Sequence, residues 1–280
     1  AAKAGVASIV AEDDGDAIEQ ARKLISLLPT NNLSAVPVWE YTEPEAALSA
    51  ESCAKMAAIG VADADSVVEL SKEYAENVFT ALATVGGATV GLVATIGVVC
   101  PYAASKTARF VRVCDAFNIP VITFIDTEGF VPSSKAELAG EIQDAAKLAH
   151  AYAEATCPKV SVITGKAYGA AYIALAGTAA SSDITIAWPT AVISALSPET
   201  SVEFFWHDKL KGAEDVASKR AELVEEYIET EASPFTAAKA GYVEDVIDPS
   251  QTRAAVLSAL DMLSSKRVSK LPKKHGNMPF

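Results

Sequence analysis

The chain has 280 residues, half of them hydrophobic and 21% charged, with a formal net charge of −13. That length and apolar content suit one large domain or two small ones with a sizeable core. The acidic balance argues against nucleic acid as a main partner. The four cysteines, Cys53, Cys100, Cys114 and Cys157, form no C-x-x-C pair and have no histidine at ligand spacing. A structural metal and a disulfide framework are therefore not expected, and reduced thiols fit a cytosolic compartment.

No basic region followed by an apolar run opens the sequence at Ala1, so no signal peptide is expected. Gly5 to Val10 reads as a short strand. Glu12 to Leu28 reads as an amphipathic helix with an acidic first turn, stopped at Pro29. Thr30 to Ala50 is polar, contains Pro37 and Pro44, and reads as a linker. Asn77 to Thr84 and Thr89 to Ile96 flank Gly86-Gly87, a hairpin signal. Val85 to Cys100 is apolar but shorter than the ~20 residues of a spanning helix and rich in glycine. Helices are predicted over Ala103 to Phe117, Ala136 to Thr156, Glu214 to Glu231 and Thr252 to Ser264. The long helix is given an apolar face of Leu138, Ile142, Ala145, Ala149 and Tyr152. Strands are predicted over Val121 to Asp126, Ile184 to Ala187, Ala191 to Ala195 and Gly241 to Ile247. Strands alternating with helices predict an α/β fold with a largely parallel sheet. The cluster Lys266, Arg267, Lys270, Lys273 and Lys274 reads either as a solvated end or as a contact for an anionic cofactor or partner.

The most informative stretch is Pro158-Lys-Val-Ser-Val-Ile-Thr-Gly-Lys-Ala-Tyr-Gly-Ala-Ala-Tyr172. A β-branched run, Val160, Val162 and Ile163, leads into a Gly/Ala turn that opens a helix. Gly169, Ala170 and Ala171 allow close approach of a substrate oxygen, and free N–H groups at a helix start can hold developing negative charge. This points to a backbone oxyanion hole. No G-x-S-x-G or Walker loop occurs, and His150, His207 and His275 read as structural histidines without a paired nucleophile.

Several runs resemble the carboxyltransferase subunits (beta type) of biotin-dependent acyl-CoA carboxylases and decarboxylases. They include Ala104-Ser-Lys-Thr-Ala-Arg-Phe-Val-Arg-Val-Cys-Asp-Ala-Phe-Asn-Ile-Pro120, His150 to Lys159, Lys166-Ala-Tyr-Gly-Ala-Ala-Tyr172, Ala187-Trp-Pro-Thr190, Gly241 to Pro249 and Lys273 to Pro279. The resemblance implies a crotonase-like spiral of ββα units. It implies that residues 1–45 are a strand–helix remnant of the family's first domain plus a linker, and that residues 46–280 are its second domain. The first domain would then be on another chain or have been lost by truncation. The implied activity moves a carboxyl group between carboxybiotin and the α-carbon of a short-chain acyl-CoA of acetyl, propionyl or methylmalonyl type. Biotin on a carrier protein would be the cofactor and a coenzyme A thioester the substrate. The main chain of Gly169, Ala170 and Ala171 would form the oxyanion hole, with Ala170 and Ala171 facing the biotin oxygen. Tyr168, Ile173, Gly129, Phe130, Trp188 and Pro189 would contact substrate, and Ile173 stands where the family sets chain length. Implied partners are biotin carboxyl carrier protein, biotin carboxylase or a membrane decarboxylase subunit, an N-terminal carboxyltransferase domain or chain, and further copies of this chain. The implied location is the cytoplasm, or a membrane reached through a complex.

The sequence departs from the family pattern at Glu128 in Asp126-Thr-Glu-Gly-Phe130, at Ala170, at Leu138 to Asp144 and at Leu196-Ser197. Two other readings stay open. One is a non-catalytic assembly or carrier-docking subunit. The other is a hydratase or isomerase of the same fold with Glu128 as base.

Overall fold

The computed structural model describes residues 1–45, 47–178, 180–211 and 215–269. The strand expected over Gly5 to Val10 does not form. Gly5 N–H instead closes a turn on Ala2 O at 2.9 Å, and Ser8 O accepts Ser71 N–H at 2.6 Å. Helix α1 (Asp14–Ser26) starts where Asp13 accepts the Asp16 N–H at 2.9 Å. The linker carries an isolated bridge from Val38 to Ala88. Helix α2 (Ala54–Val61) was not expected, because it is apolar all round and lacks an amphipathic stripe.

Strand β1 (Val68–Glu69) pairs antiparallel with β2 (Val78–Val85), which pairs antiparallel with β3 (Ala88–Thr95) across the Gly86-Gly87 turn. There follow β4 (Val98–Val99), α3 (Pro101–Ala116), β5 (Val121–Thr127) and β6 (Gly129–Phe130). The helix expected over Ala136 to Thr156 is broken into α4 (Ser134–Leu138) and α5 (Glu141–Glu154). Gly140, at φ +88°, turns the chain between them into a conformation that L side chains resist. The expected apolar face is corrected with it. Leu138, Ile142 and Ala149 are exposed, while Glu141, Ala145, Leu148, Ala151 and Tyr152 are buried.

Next come β7 (Lys159–Tyr168), α6 (Gly169–Ala176), β8 (Ile184–Ala187) and β9 (Val192–Ser194). The chain ends in α7 (Pro198–Phe205), α8 (His207–Leu210), α9 (Val216–Thr230), α10 (Pro234–Lys239), β10 (Asp245–Val246) and α11 (Thr252–Leu263). Glu214, the expected start of α9, lies outside the described residues, as do Lys270, Lys273, Lys274, His275 and the rest of the Lys273 to Pro279 run. Lys266 does not belong to a free tail. It donates to Asp183 Oδ2 at 2.8 Å and to Cys157 O at 2.9 Å.

The main sheet runs β1-β2-β3-β5-β7-β8-β10, parallel from β3 onward. A second small sheet pairs β4 with β6. Each main strand β3, β5 and β8 is thus followed by a short strand out of its own line and then by a helix, which is the expected spiral of ββα units. Alternate residues serve the two faces. Val121, Ile125 and Ile163 pack under α3, α5 and α6, whereas Ile122, Phe124, Val162 and Ile186 pack under α2 and α11. Tyr152 crosses the first face to put its hydroxyl 2.8 Å from the Thr123 hydroxyl, and burial pushes the phenol pKa well up.

One polar clasp closes the second face. Asp63, 3% exposed, accepts the N–H groups of Gly86 and Gly87 at 3.0 and 2.8 Å and Arg253 Nη2 at 2.6 Å. Arg253 also donates to Val61 O. Burial pushes the Asp63 pKa up, but donors from Thr84, Arg253, Gly87 and Gly86 outweigh it and hold it below the usual carboxylate range.

Candidate functional site

Strand β7 is long enough to have two partners in succession. Val160 to Ile163 pair with β8, and Lys166 to Tyr168 pair with β9. Between them the β5 pairing shifts register after Ile125. Asp126 there accepts the Lys166 N–H at 3.0 Å and lies against Gly165, where a Cβ would meet its Oδ1 at 2.6 Å. The strand therefore leaves the main sheet and delivers Tyr168 and Gly169 to a second layer.

Gly169 is the first residue of α6 and has φ +61°. Ala195 O lies 3.4 Å from where its Cβ would be, so the main chain is open here because the residue is glycine. The first N–H groups of a helix have no carbonyl one turn earlier, and here they belong to Gly169, Ala170 and Ala171. Ala170 is exposed, whereas Ala171 is fully buried at the third helical position, further into the helix than its sequence suggests.

The other expected substrate contacts divide. Tyr168 stands immediately before α6, and Gly129 approaches it, the added Cβ lying 3.8 Å from Tyr168 O. Burial, and then the charges of Glu199, Glu128 and Asp126, push the Tyr168 phenol up to about 12. Phe130 is half-buried against the core beneath α3 and α5. Ile173 is 62% exposed and lines a cavity of about 600 Å³ together with Gly169. Trp188 is corrected, and Pro189 lies apart from this cavity. Trp188 is fully buried under α11, with its indole N–H donated to Thr252 Oγ1 at 2.9 Å, so its role there is packing. Pro189 is exposed and lines a separate groove with Thr190, Ile228 and Phe235.

Glu128 is not a free carboxylate. Its Oε1 is 2.6 Å from Lys166 Nζ, and that hydrogen bond chiefly raises the Lys166 pKa. Glu141, in the segment that departs from the family pattern, accepts the Val131 N–H at 2.9 Å and ties down the loop after β6. Ser197 caps α7 by accepting the Thr200 N–H at 3.3 Å. The far cavity wall, Tyr227, Ala237, Ala240 and Tyr242, comes from α9, α10 and the turn after them. Ser233-Pro234 is a helix-start signal that could have placed α10. No helix among the described residues is long and apolar enough to cross a membrane.

The family described as "Carboxyl transferase domain" matches residues 1–278. The propionyl-CoA carboxylase carboxyltransferase subunit of Haloferax mediterranei is 39% identical over 99% of this chain and 57% of its own length. The alpha subunit of methylmalonyl-CoA decarboxylase from Veillonella parvula is 38% identical over 99% of this chain and 56% of its own. A crystal structure of transcarboxylase 12S, a hexamer with methylmalonyl-coenzyme A and methylmalonic acid bound, superposes with a TM-score of 0.90 at 36% identity. It is matched over 98% of this chain and 56% of the other. The chain thus spans a little over half the length of these relatives. With its spiral of ββα units and the Gly169 turn at the strand–helix junction, it belongs to the carboxyl transferase domain family.

Proposed function

We propose that this chain supplies the biotin-facing part of a carboxyltransferase that moves a carboxyl group between carboxybiotin and the α-carbon of a short-chain acyl-CoA. The observation that carries this reading is the Tyr168–Gly169 junction, where main-chain donors at the start of α6 open beside an apolar cavity. Carboxybiotin, bound through its carrier, supplies the carboxyl group. The chain's own task is electrostatic. The N–H groups at Gly169 to Ala171 face an oxygen that becomes anionic, and their positions are fixed in advance by β9 and α6. Tyr168, buried immediately before α6, stays neutral at working pH.

The relatives' functions support acyl-CoA as the thioester partner. We also read residues 1–45 as the end of a first domain with its linker, and residues 46–280 as the second domain. Biotin carboxyl carrier protein, a biotin carboxylase or membrane decarboxylase subunit, and a first-domain region on this or another polypeptide are the proposed partners, in a homo-oligomer located in the cytoplasm. Label exchange between an acyl-CoA product and biotin, blocked by avidin, tests the reading in the assembled enzyme. Exchange is expected, and its absence there overturns the reading.

The alternative with Glu128 as general base makes the opposite forecast for one variant. A carboxylate already holding a short charge-assisted hydrogen bond must break it before taking a substrate proton. Glu128→Gln is therefore expected to leave exchange within about fivefold of wild type, since exposed ion pairs contribute about 0–1 kcal/mol. A wild-type hydration activity that Glu128→Gln lowers beyond about 100-fold, the lower bound for removing a general base, would support the hydratase or isomerase reading instead.

A further inference from the structure

Strand β7 gains length on β5 at one point. Ile125 pairs with Ile163 and Thr127 with Ala167, so Thr164, Gly165 and Lys166 stand opposite Asp126 alone. A bulge of this kind disrupts the ladder and lets the longer strand bend. Two side chains make up for the lost pairing. Thr164 Oγ1 donates to Ile125 O at 3.2 Å, and the Asp126 carboxylate accepts the Lys166 N–H at 3.0 Å.

Asp126 is itself held on both sides. Its N–H donates to Thr95 Oγ1 at 3.1 Å, at the end of β3. Its carbonyl accepts the Gly97 N–H at 3.0 Å, just before β4. The carboxylate is thus a fixed arm reaching from β5 to β7. Gly165 is fitted to that arm. It is not among the glycines with positive φ, so its backbone conformation does not call for glycine. A Cβ there would instead lie 2.6 Å from Asp126 Oδ1, in the space the carboxylate fills. The Lys166–Glu128 pair crosses the same gap, but both side chains are about half exposed, and such pairs hold little.

Beyond the bulge, Lys166 to Tyr168 join β9, and the next residue is Gly169. A slip of one residue would carry the Gly169 N–H by roughly 3.3 Å, the rise of a strand, and turn alternate side chains over. A shift of about 1 Å already costs on the order of 100-fold where rate depends on placement.

Resting on the carboxyl-transfer reading, we propose that Asp126 is a positioning residue for that reaction. Its carboxylate pins the β7 bulge so that the donors of Gly169 to Ala171 face the biotin oxygen. Gly165 is its counterpart, small so that the carboxylate reaches Lys166.

Asp126→Ala should lower kcat for avidin-blocked label exchange about 100-fold in the assembled enzyme, the cost of a shift near 1 Å, and leave the acyl-CoA KM unchanged. Asp126→Asn keeps Oδ1 as an acceptor and should restore most of that rate. Gly165→Ala keeps the carboxylate but drives it off Lys166. It should match Asp126→Ala, and it makes the same test if Asp126→Ala does not fold. The two losses should not multiply in the double variant, because both break one contact. In the purified full chain, amide hydrogen exchange of Lys166 to Gly169 should quicken in Asp126→Ala and recover in Asp126→Asn, with the Gly86-Gly87 hairpin unchanged. Unaltered amide protection, a kcat near wild type, a loss that Asp126→Asn shares, or losses that multiply would overturn the pin. A wild type without label exchange, beside that local loss of protection in Asp126→Ala, overturns the carboxyl-transfer reading while supporting the pin.

Discussion

Replacing Ala170 by proline should lower carboxybiotin-dependent exchange about 100- to 1000-fold, the usual cost of removing one oxyanion-hole donor. Ala170 is exposed at the second position of α6, within the first turn, where the lost N–H has no partner inside the helix. The lesion breaks no helical hydrogen bond, and Gly169 before it has no Cβ for the proline ring to meet. At Ala171 a proline would add bulk to a fully buried site and press on the residue before it, mixing a packing defect with the chemistry. Ala170→Ser keeps the N–H and should stay within about tenfold, one decade short of the smallest donor loss. Exchange in the assembled enzyme, with circular dichroism on both variants, makes the measurement. Near-normal exchange by a folded Ala170→Pro would place the oxyanion donors elsewhere.

Arg253→Met should destabilise the fold by about 3–5 kcal/mol, the cost of leaving a buried charge without its partner. Asp63 would keep the Gly86 and Gly87 donors but lose the guanidinium, with the carboxylate still held under the second face. Urea unfolding at neutral pH measures the loss, and a change below about 1 kcal/mol, the range of exposed pairs, would show the clasp to be solvated. The pH dependence has a definite sign. Because the folded Asp63 pKa is depressed, its stabilisation is fully present above the unfolded value near 3.9 and is lost as pH falls through the folded value. The wild type should therefore lose more of its advantage over Arg253→Met in that acid window than at pH 6 to 8.

The parts of the fold that were legible in the sequence are those whose signals are local. The Gly86-Gly87 hairpin and the Val160 to Gly169 strand-to-turn junction depend on backbone geometry that glycine and β-branched residues announce. Helix α2 was hidden because its apolar residues fall on its exposed side too, at Met56 and Ile59, which leaves no 3.6-residue stripe to read. The break at Gly140 was missed because Leu138 and Ile142 kept an apolar spacing that the structure turns to solvent. In the site, Gly169 and Ile173 were found where the cavity begins, but Trp188 was not separable from a core residue. An aromatic at a strand end looks the same in sequence whether it meets substrate or α11. Tyr227 and Ala240 escaped notice because they reach Gly169 from more than fifty positions away.

The clasp also sets an order of events during synthesis. Asp63 leaves the ribosome 190 residues ahead of Arg253, and α2 is made long before the α11 that packs beside it. Until α11 emerges, the apolar residues of β2, β3 and β5 on that face have only α2 to cover them. Contacts so distant in sequence close late and slowly, and an uncovered sheet face is the surface on which nascent chains aggregate. The last described helix thus acts as a latch on folding yield, and truncations near Thr252 should lower the recovery of folded chain even though they lie outside the Gly169 cavity.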